Sequence, residues 1–199
     1  LQAEVETESS RVHFAGRSTT VVSVPIGVDY DRIQALAADP ALPAEQHRLI
    51  ELLNLRTPIL GLGVDRLDYT KGIPERLAAI DTLLIRRADI NARHAIRGGP
   101  PVVSYHKTAL TTASLVALYR LAQFCIVSSL HDGMNLVAKE FVAAQDAGDP
   151  GVLILSSLAG AARELSGAVQ VNPHDTRGIA LAIQLALTMP LAERLERHA

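Results

Sequence analysis

Three short stretches hold residues whose types and spacing could do chemistry. In the first, Asp65, Arg66, Asp68 and Lys71 follow directly on the apolar run TPILGLGV (57–64). Arg66 offers a planar fork of donors and Lys71 a compact charge, and together they could meet a diphosphate. Gly72 and Pro74 then open a helix on the same side. The spacing suits a solvated loop, with charges paired among themselves, at least as well. In the second stretch, Asp132-Gly133-Met134-Asn135 follows the apolar run FCIVSS (124–129) and enters the helical segment NLVAKEFVAAQD (135–146). Glycine permits close backbone approach, and the free N–H groups of a helix start suit phosphate or sugar oxygens. Asp132 could accept hydrogen bonds from sugar hydroxyls. Glu140 lies five positions beyond Asn135, about one and a half turns along. There a carboxylate could take both hydroxyls of a ribose. Taken singly, Asp132 reads as a turn or cap and Glu140 as a surface residue, solvated or paired with Lys139. Taken jointly, strand, Asp-Gly, helix and distal Glu point to a ligand site. In the third stretch, SSLAGAAREL (156–165), Gly160 sits at a strand-to-helix junction, close to a ligand or simply in a tight connection.

Other chemistries find less support. GLGVDR (61–66) begins like the dinucleotide fingerprint, but Arg66 stands where a third glycine belongs, which weakens an oxidoreductase reading. A phosphate loop ending in Gly-Lys-Ser/Thr is missing, as is a Gly-x-Ser-x-Gly elbow. No His pair or Cys/His cluster has metal-ligand spacing, and no metal or cofactor is expected. His131 adjoins the Asp-Gly loop with no further signal. Cys125 lies inside an apolar strand and reads as an inert thiol.

The elements that must position these loops can be read along the chain. Residues 1–10 read as loosely structured. RVHFAGRSTTVVSVPIGV (11–28) reads as two β-stretches joined around Gly16, the second made strand-like by Val21, Val22, Val24 and Ile26, with Pro25 marking an edge or an end. Asp29 caps a helix reaching about Ala38, and a second helix runs from Pro43 to Leu55. Then the rhythm becomes strand, loop, helix. Strands are expected at 57–64, 102–106, 124–129, 151–157 and 168–173. Helices are expected at 74–87, 114–123, 135–146 and 159–165, and over a segment capped by Asp175 and ended by Pro190. Continuous apolar strands alternating with helices predict an α/β fold with a doubly wound, Rossmann-like parallel sheet. Ligands of such sheets bind outside the carboxyl ends of the strands. That selects the loops at 65–73, 130–135 and 157–160. The organisation reads as a bridging segment over 1–56, a ligand-binding domain over 57–189 and a C-terminal helix over 190–199.

Composition sets the outer bounds. The 199 residues are 48% hydrophobic but only 4% aromatic, so the core must be built from Ala, Val, Leu and Ile. Formal net charge is -2 with no basic run, which leaves nucleic-acid binding unsupported. No apolar run reaches the length of a membrane span. The polar, acidic opening LQAEVETESS predicts no secretory leader, and a single cysteine fits a reducing compartment. A cytoplasmic location is therefore expected.

Three segments resemble the donor-domain signatures of the trehalose-6-phosphate synthase family: VDRLDYTKGIPERL (64–77), SLHDGMNLVAKEFVAAQD (129–146) and GVLILSSLAGAARELSGAVQVNPHD (151–175). VPIGVD (24–29) and LALTMPLAERLERH (185–198) resemble its flanking segments. The resemblance implies the donor-binding half of a retaining, twin-Rossmann glycosyltransferase. It implies UDP-glucose or GDP-glucose as donor, glucose-6-phosphate as acceptor, trehalose-6-phosphate as product and no metal. It also implies roles for individual residues. Arg66 and Lys71 would hold the diphosphate and Asp132 the glucose hydroxyls. Gly133, Met134 and Asn135 would present backbone amides, Leu136 and Val137 would continue along the nucleotide, and Glu140 would take the ribose. Among these, Arg66, Lys71 and Asp132 would be catalytic. The resemblance is compatible with a homo-oligomer of the full-length protein. Two features depart from the family. Its N-terminal half, which carries most acceptor contacts, is missing. The stretch between Arg87 and Asn91 joins abruptly, where the family has roughly 30 more residues, one strand-and-helix unit. Loss of such a unit is expected to leave a gap in the sheet. Other readings are a non-catalytic nucleotide-sugar-binding or regulatory module, and a related transferase with glycerol-3-phosphate or a cyclitol phosphate as acceptor.

Overall fold

The fold is a computed structural model that describes residues 3–22, 24–55, 59–86 and 102–199. The junction between Arg87 and Asn91 lies outside the described residues, as do residues 57 and 58 of the expected first strand.

The N-terminal stretch is a small antiparallel sheet, β1 (Glu4–Glu6), β2 (Arg11–Phe14) and β3 (Arg17–Thr20), in the order β1-β2-β3. Ala15 (φ 49°) and Gly16 (φ 74°) make the two-residue turn between β2 and β3. Left-handed turns of this kind match the twist of paired strands. This corrects two expectations. Residues 4–6 form a strand rather than loose chain. The strand after Gly16 ends at Thr20, before Val21–Ile26, whose valines and isoleucine are exposed.

Helix α1 (Tyr30–Ala37) starts at Asp29, whose carboxylate accepts from the Arg32 N–H at 3.1 Å. Helix α2 (Leu42–Leu52) carries Pro43 in its first turn. Strand β4 (Gly61–Leu62) is short. Helix α3 (Ile73–Arg86) follows, and the chain returns through helix α4 (Thr112–Leu121) to β5 (Phe124–Val127). Then come helix α5 (Leu136–Ala144), β6 (Val152–Ser156), a 3-10 turn at Gly160–Arg163, β7 (Val169–Val171), and helices α6 (Thr176–Thr188) and α7 (Leu191–His198). The expected strand at 102–106 is not formed. Val102, Val103 and Tyr105 are exposed, without a strand partner among the described residues.

Strands β4 to β7 form one parallel sheet in the order β4-β5-β6-β7. Alternate side chains of β5 and β6 feed two cores. Cys125, Val127, Leu153 and Leu155 face α1, α4 and α5, where Tyr119 and Phe141 meet edge to face at 6.1 Å. Phe124, Ile126, Val152 and Ile154 face α3 and α6. Burial on both sides explains the continuous apolar runs. Cys125 is fully buried, and burial pushes its thiol up to about 12. Helices α1 and α2 bury Ile33 and Leu49 in this same body.

The doubly wound sheet is thus present, with one correction. Gly61 pairs with Phe124 and Leu62 with Cys125, so β4 and β5 are direct neighbours and no gap separates them. The helix after β4 covers one face and the helix after β5 the other. The crevice outside the carboxyl ends of these two strands is therefore the switch point, where such sheets bind ligands.

Candidate functional site

The loop after β4 is shaped by its own polar residues. Asp68 accepts from the Thr70 N–H and Oγ1, both at 2.9 Å, and starts the 3-10 turn Tyr69–Lys71. Gly72 ends that turn at φ 62°, a left-handed position where a side chain would also strike the Ser128 carbonyl. The Thr70 carbonyl accepts from the Leu130 N–H at 2.7 Å, binding this loop to the one after β5. Lys71 is thereby carried across the crevice, and its Nζ lies 2.6 Å from Asp132 Oδ2. Both side chains are largely shielded, at 13% and 14% exposure.

Asp132 is the hub. It accepts from Lys71, from Asn135 Nδ2 at 3.0 Å, from the Met134 N–H at 3.3 Å and from Ser129 Oγ at 3.4 Å. Burial alone would push its carboxyl up. The hydrogen bonds from Lys71, Asn135 and Met134 outweigh burial, and the group lies below the usual carboxylate range. Asn135 also caps α5, its Oδ1 accepting from the Ala138 N–H at 3.0 Å. That leaves the N–H groups of Leu136 and Val137 in a first helical turn without intrahelical acceptors. A side chain at Gly133 would meet nothing within 4 Å, so the loop is open on that side.

The third loop braces the second. The Gly160 N–H donates to the Asp132 carbonyl at 2.9 Å and the Ala161 N–H to the Met134 carbonyl at 2.7 Å. Ser156 Oγ donates to the Ser129 carbonyl at 2.6 Å. Any side chain at Gly160 would strike the Gly133 carbonyl, which is why that position is glycine.

The structure brings together Lys71, Asp132, Gly133, Met134 and Asn135, with Leu136 and Val137 directly beyond. Arg66 shares the Lys71 loop but is exposed and forms no hydrogen bond or ion pair among the described residues. The Met134 N–H is directed at Asp132 rather than outward. Glu140 is not paired with Lys139, which reaches Glu164 at 2.8 Å and the Ile26 carbonyl at 3.1 Å. Consecutive helix residues point about 100° apart and cannot meet. Glu140 Oε2 instead accepts from the buried Tyr119 hydroxyl at 3.0 Å, and that phenol is pushed up by burial and then by Glu140. Sequence reasoning missed Tyr119, Ser128, Ser129 and Arg76. Arg76 Nη2 lies 2.7 Å from Asp65 Oδ2, and both side chains are buried. Its signal was readable: Arg76, Ala79 and Leu83 share one helical face, which is the buried face of α3. Among the described residues, no group of three His, Cys, Asp or Glu is placed to hold a metal ion. No single helix there is long and apolar enough to cross a membrane.

The model of Glycosyltransferase family 20 matches residues 1–93 and 87–199. The chain belongs to that family. A trehalose-6-phosphate synthase of Citrobacter koseri is 38% identical over 233 aligned residues, covering 100% of this chain and 48% of that protein. A solved alpha,alpha-trehalose-phosphate synthase (UDP-forming) of Burkholderia xenovorans, in complex with glucose-6-phosphate, is similar at TM-score 0.81 and 40% identity. It covers 94% of this chain and 48% of its own. An E. coli structure bound with UDP-2-fluoro glucose is similar at TM-score 0.82 and 33% identity, covering 99% of this chain and 50% of its own. The chain spans about half the length of the curated relatives it matches. The family match divides at 87–93, where the sequence joins abruptly. The Citrobacter alignment runs to 233 positions against 199 residues here. That excess is about the size of one strand-and-helix unit.

Proposed function

We propose that the crevice between the β4 and β5 loops binds a nucleotide sugar, UDP-glucose or GDP-glucose. The chain would be the donor half of a transferase that moves glucose with retention to glucose-6-phosphate and forms trehalose-6-phosphate. The observation that carries this reading is the Lys71–Asp132 pair, set at the switch point beside the first turn of α5. The glucosyl–phosphate bond breaks as the bond to the acceptor hydroxyl forms on the same face, and the acceptor proton passes to the leaving diphosphate. Negative charge grows on that diphosphate. Lys71, Arg66 and the helix N-terminus would stabilise it, while Asp132 would orient the glucose hydroxyls. Glu140 would take the ribose. No protein nucleophile is needed. The binding unit is residues 57–189, with residues 1–56 leading into it, α1 and α2 buttressing it, and residues 190–199 closing it. A homo-oligomer of the full-length protein and a cytoplasmic setting, suggested by the single cysteine, complete the reading.

Calorimetry with UDP-glucose and GDP-glucose tests it. One of them should bind, and Lys71→Ala or Arg66→Ala should abolish binding in a well-folded sample. Removal of such a preorganised donor typically costs on the order of a hundredfold or more in rate. A folded wild-type chain that binds neither nucleotide sugar would sink the reading. The alternative reading is a module that binds donor without turnover. Binding with no trehalose-6-phosphate formed from added glucose-6-phosphate supports that alternative, and product formation rejects it.

A further inference from the structure

Beside the Lys71–Asp132 pair lies a second, buried polar chain that touches Lys71 at its backbone carbonyl and not at its ammonium. Asp65 Oδ2 accepts from Arg76 Nη2 at 2.7 Å, with side-chain exposures of 7% and 10%. Arg76 Nε donates to Ser128 Oγ at 3.0 Å. Ser128 Oγ donates in turn to the Gly72 carbonyl at 3.0 Å and shares that proton with the Lys71 carbonyl at 3.2 Å. The Arg76 N–H also donates to the Gly72 carbonyl at 3.0 Å. The guanidinium lies so close to Gly63 that any side chain there would strike Arg76 Nη1. Arg76 therefore joins the end of β4, the loop after β5 and the Lys71–Gly72 turn.

Buried ion pairs are poor devices for stability alone, because desolvation offsets their attraction. They do fix geometry, since breaking one leaves a buried charge unpaired. Here the atoms held are the carbonyl of the Lys71–Gly72 peptide link and that of Gly72, the next along the chain. We infer that Arg76, acting with Asp65 and Ser128, is a positioning residue for Lys71: it clamps the left-handed turn that aims the ammonium at Asp132 and the donor diphosphate. The diphosphate part rests on the proposed nucleotide-sugar reading. The clamping of Lys71 does not.

The test uses Arg76→Met and, as a gentler change that removes only a hydroxyl, Ser128→Ala, each alone and combined with Lys71→Ala. Calorimetry reads UDP-glucose affinity, NMR titration reads uridine affinity, and the amine-labelling rate of Lys71 is followed by mass spectrometry. Each variant should weaken UDP-glucose binding about tenfold. Uridine binding should be unchanged, and any residual UDP-glucose binding in the Lys71→Ala background should not weaken further, as expected for coupled residues. Lys71 should also be labelled faster in both variants, because its ion pair loosens. Equal loss on uridine, or the same further loss without Lys71, would show a general loosening of the fold and overturn the inference. If the wild-type chain binds neither UDP-glucose nor GDP-glucose, the nucleotide-sugar reading fails by itself. Labelling then decides the clamp: faster in both variants supports it, and unchanged rates overturn it.

Discussion

Asp65 and Asp132 sit in neighbouring loops, yet their environments displace them in opposite directions. Burial pushes Asp65 up, and the adjacent Arg76 does not cancel it. Burial also acts on Asp132, but its hydrogen bonds win and the group lies low. Stability should follow both. Asp132 contributes fully above the usual value of 3.8, and that contribution is lost as pH falls through its depressed folded value. Asp65 has the reverse sign. Its contribution is fullest below 3.8 and is lost as pH rises through its raised folded value. Denaturant unfolding across the acid range should show both slopes. Asp65→Asn should remove the gain seen on acidifying from neutral pH, and Asp132→Asn the loss seen at lower pH; curves parallel to wild type would refute the assignment. Asp132 was legible in the sequence because Asp132-Gly133 follow closely on a buried strand, and Lys71 because it stands before Gly72 in the polar loop after β4. The partner of Glu140 was not, since Tyr119 lies 21 residues away and on another helix. Arg76 follows Glu75 in the run IPERLAAID and looks like a solvent position until its helical phase is followed.

At the level of elements, three loops act as one. The loop after β4 hangs on Thr70, and the loop after β6 is hydrogen-bonded to Asp132 and Met134. Gly160 is the point of closest approach. Gly160→Ala should displace residues 132–134 and weaken donor binding. Asp175→Ala removes the cap on α6, where the carboxylate accepts from the Gly178 N–H at 2.9 Å in the loop after β7. It should cost about 1 kcal/mol of stability and leave donor affinity unchanged. Thermal melts beside calorimetry separate the two, and equal affinity losses would mean that the loops are not braced as described. The helix caps at Asp29 and Asp175 were readable because one side chain close to the helix start makes each of them. Strands were less so. The run VVSYH has the right composition but pairs with no strand among the described residues, and the strand after Gly16 ends at Thr20, before Val21. Strand formation depends on a distant partner, which local pattern does not contain.

Across the whole molecule, β5 and β6 are the shared wall of two cores, and every residue of both strands is buried. The doubly wound sheet was legible from its unbroken apolar runs. The direct β4–β5 pairing was not, because nothing local states which strands become neighbours across an abrupt junction. Cys125 sits on that wall as the sole cysteine, with its thiol held up to about 12. The native fold thus carries a silent clock. A thiol-specific dye cannot react until the wall opens, so its colour change counts openings of the sheet and nothing else. Donor bound at a hundred times its Kd should slow that clock about a hundredfold. A rate indifferent to donor would mean that ligand and sheet opening are unlinked. One sulfur atom, chosen by packing, therefore turns the stability of the binding fold into an absorbance trace.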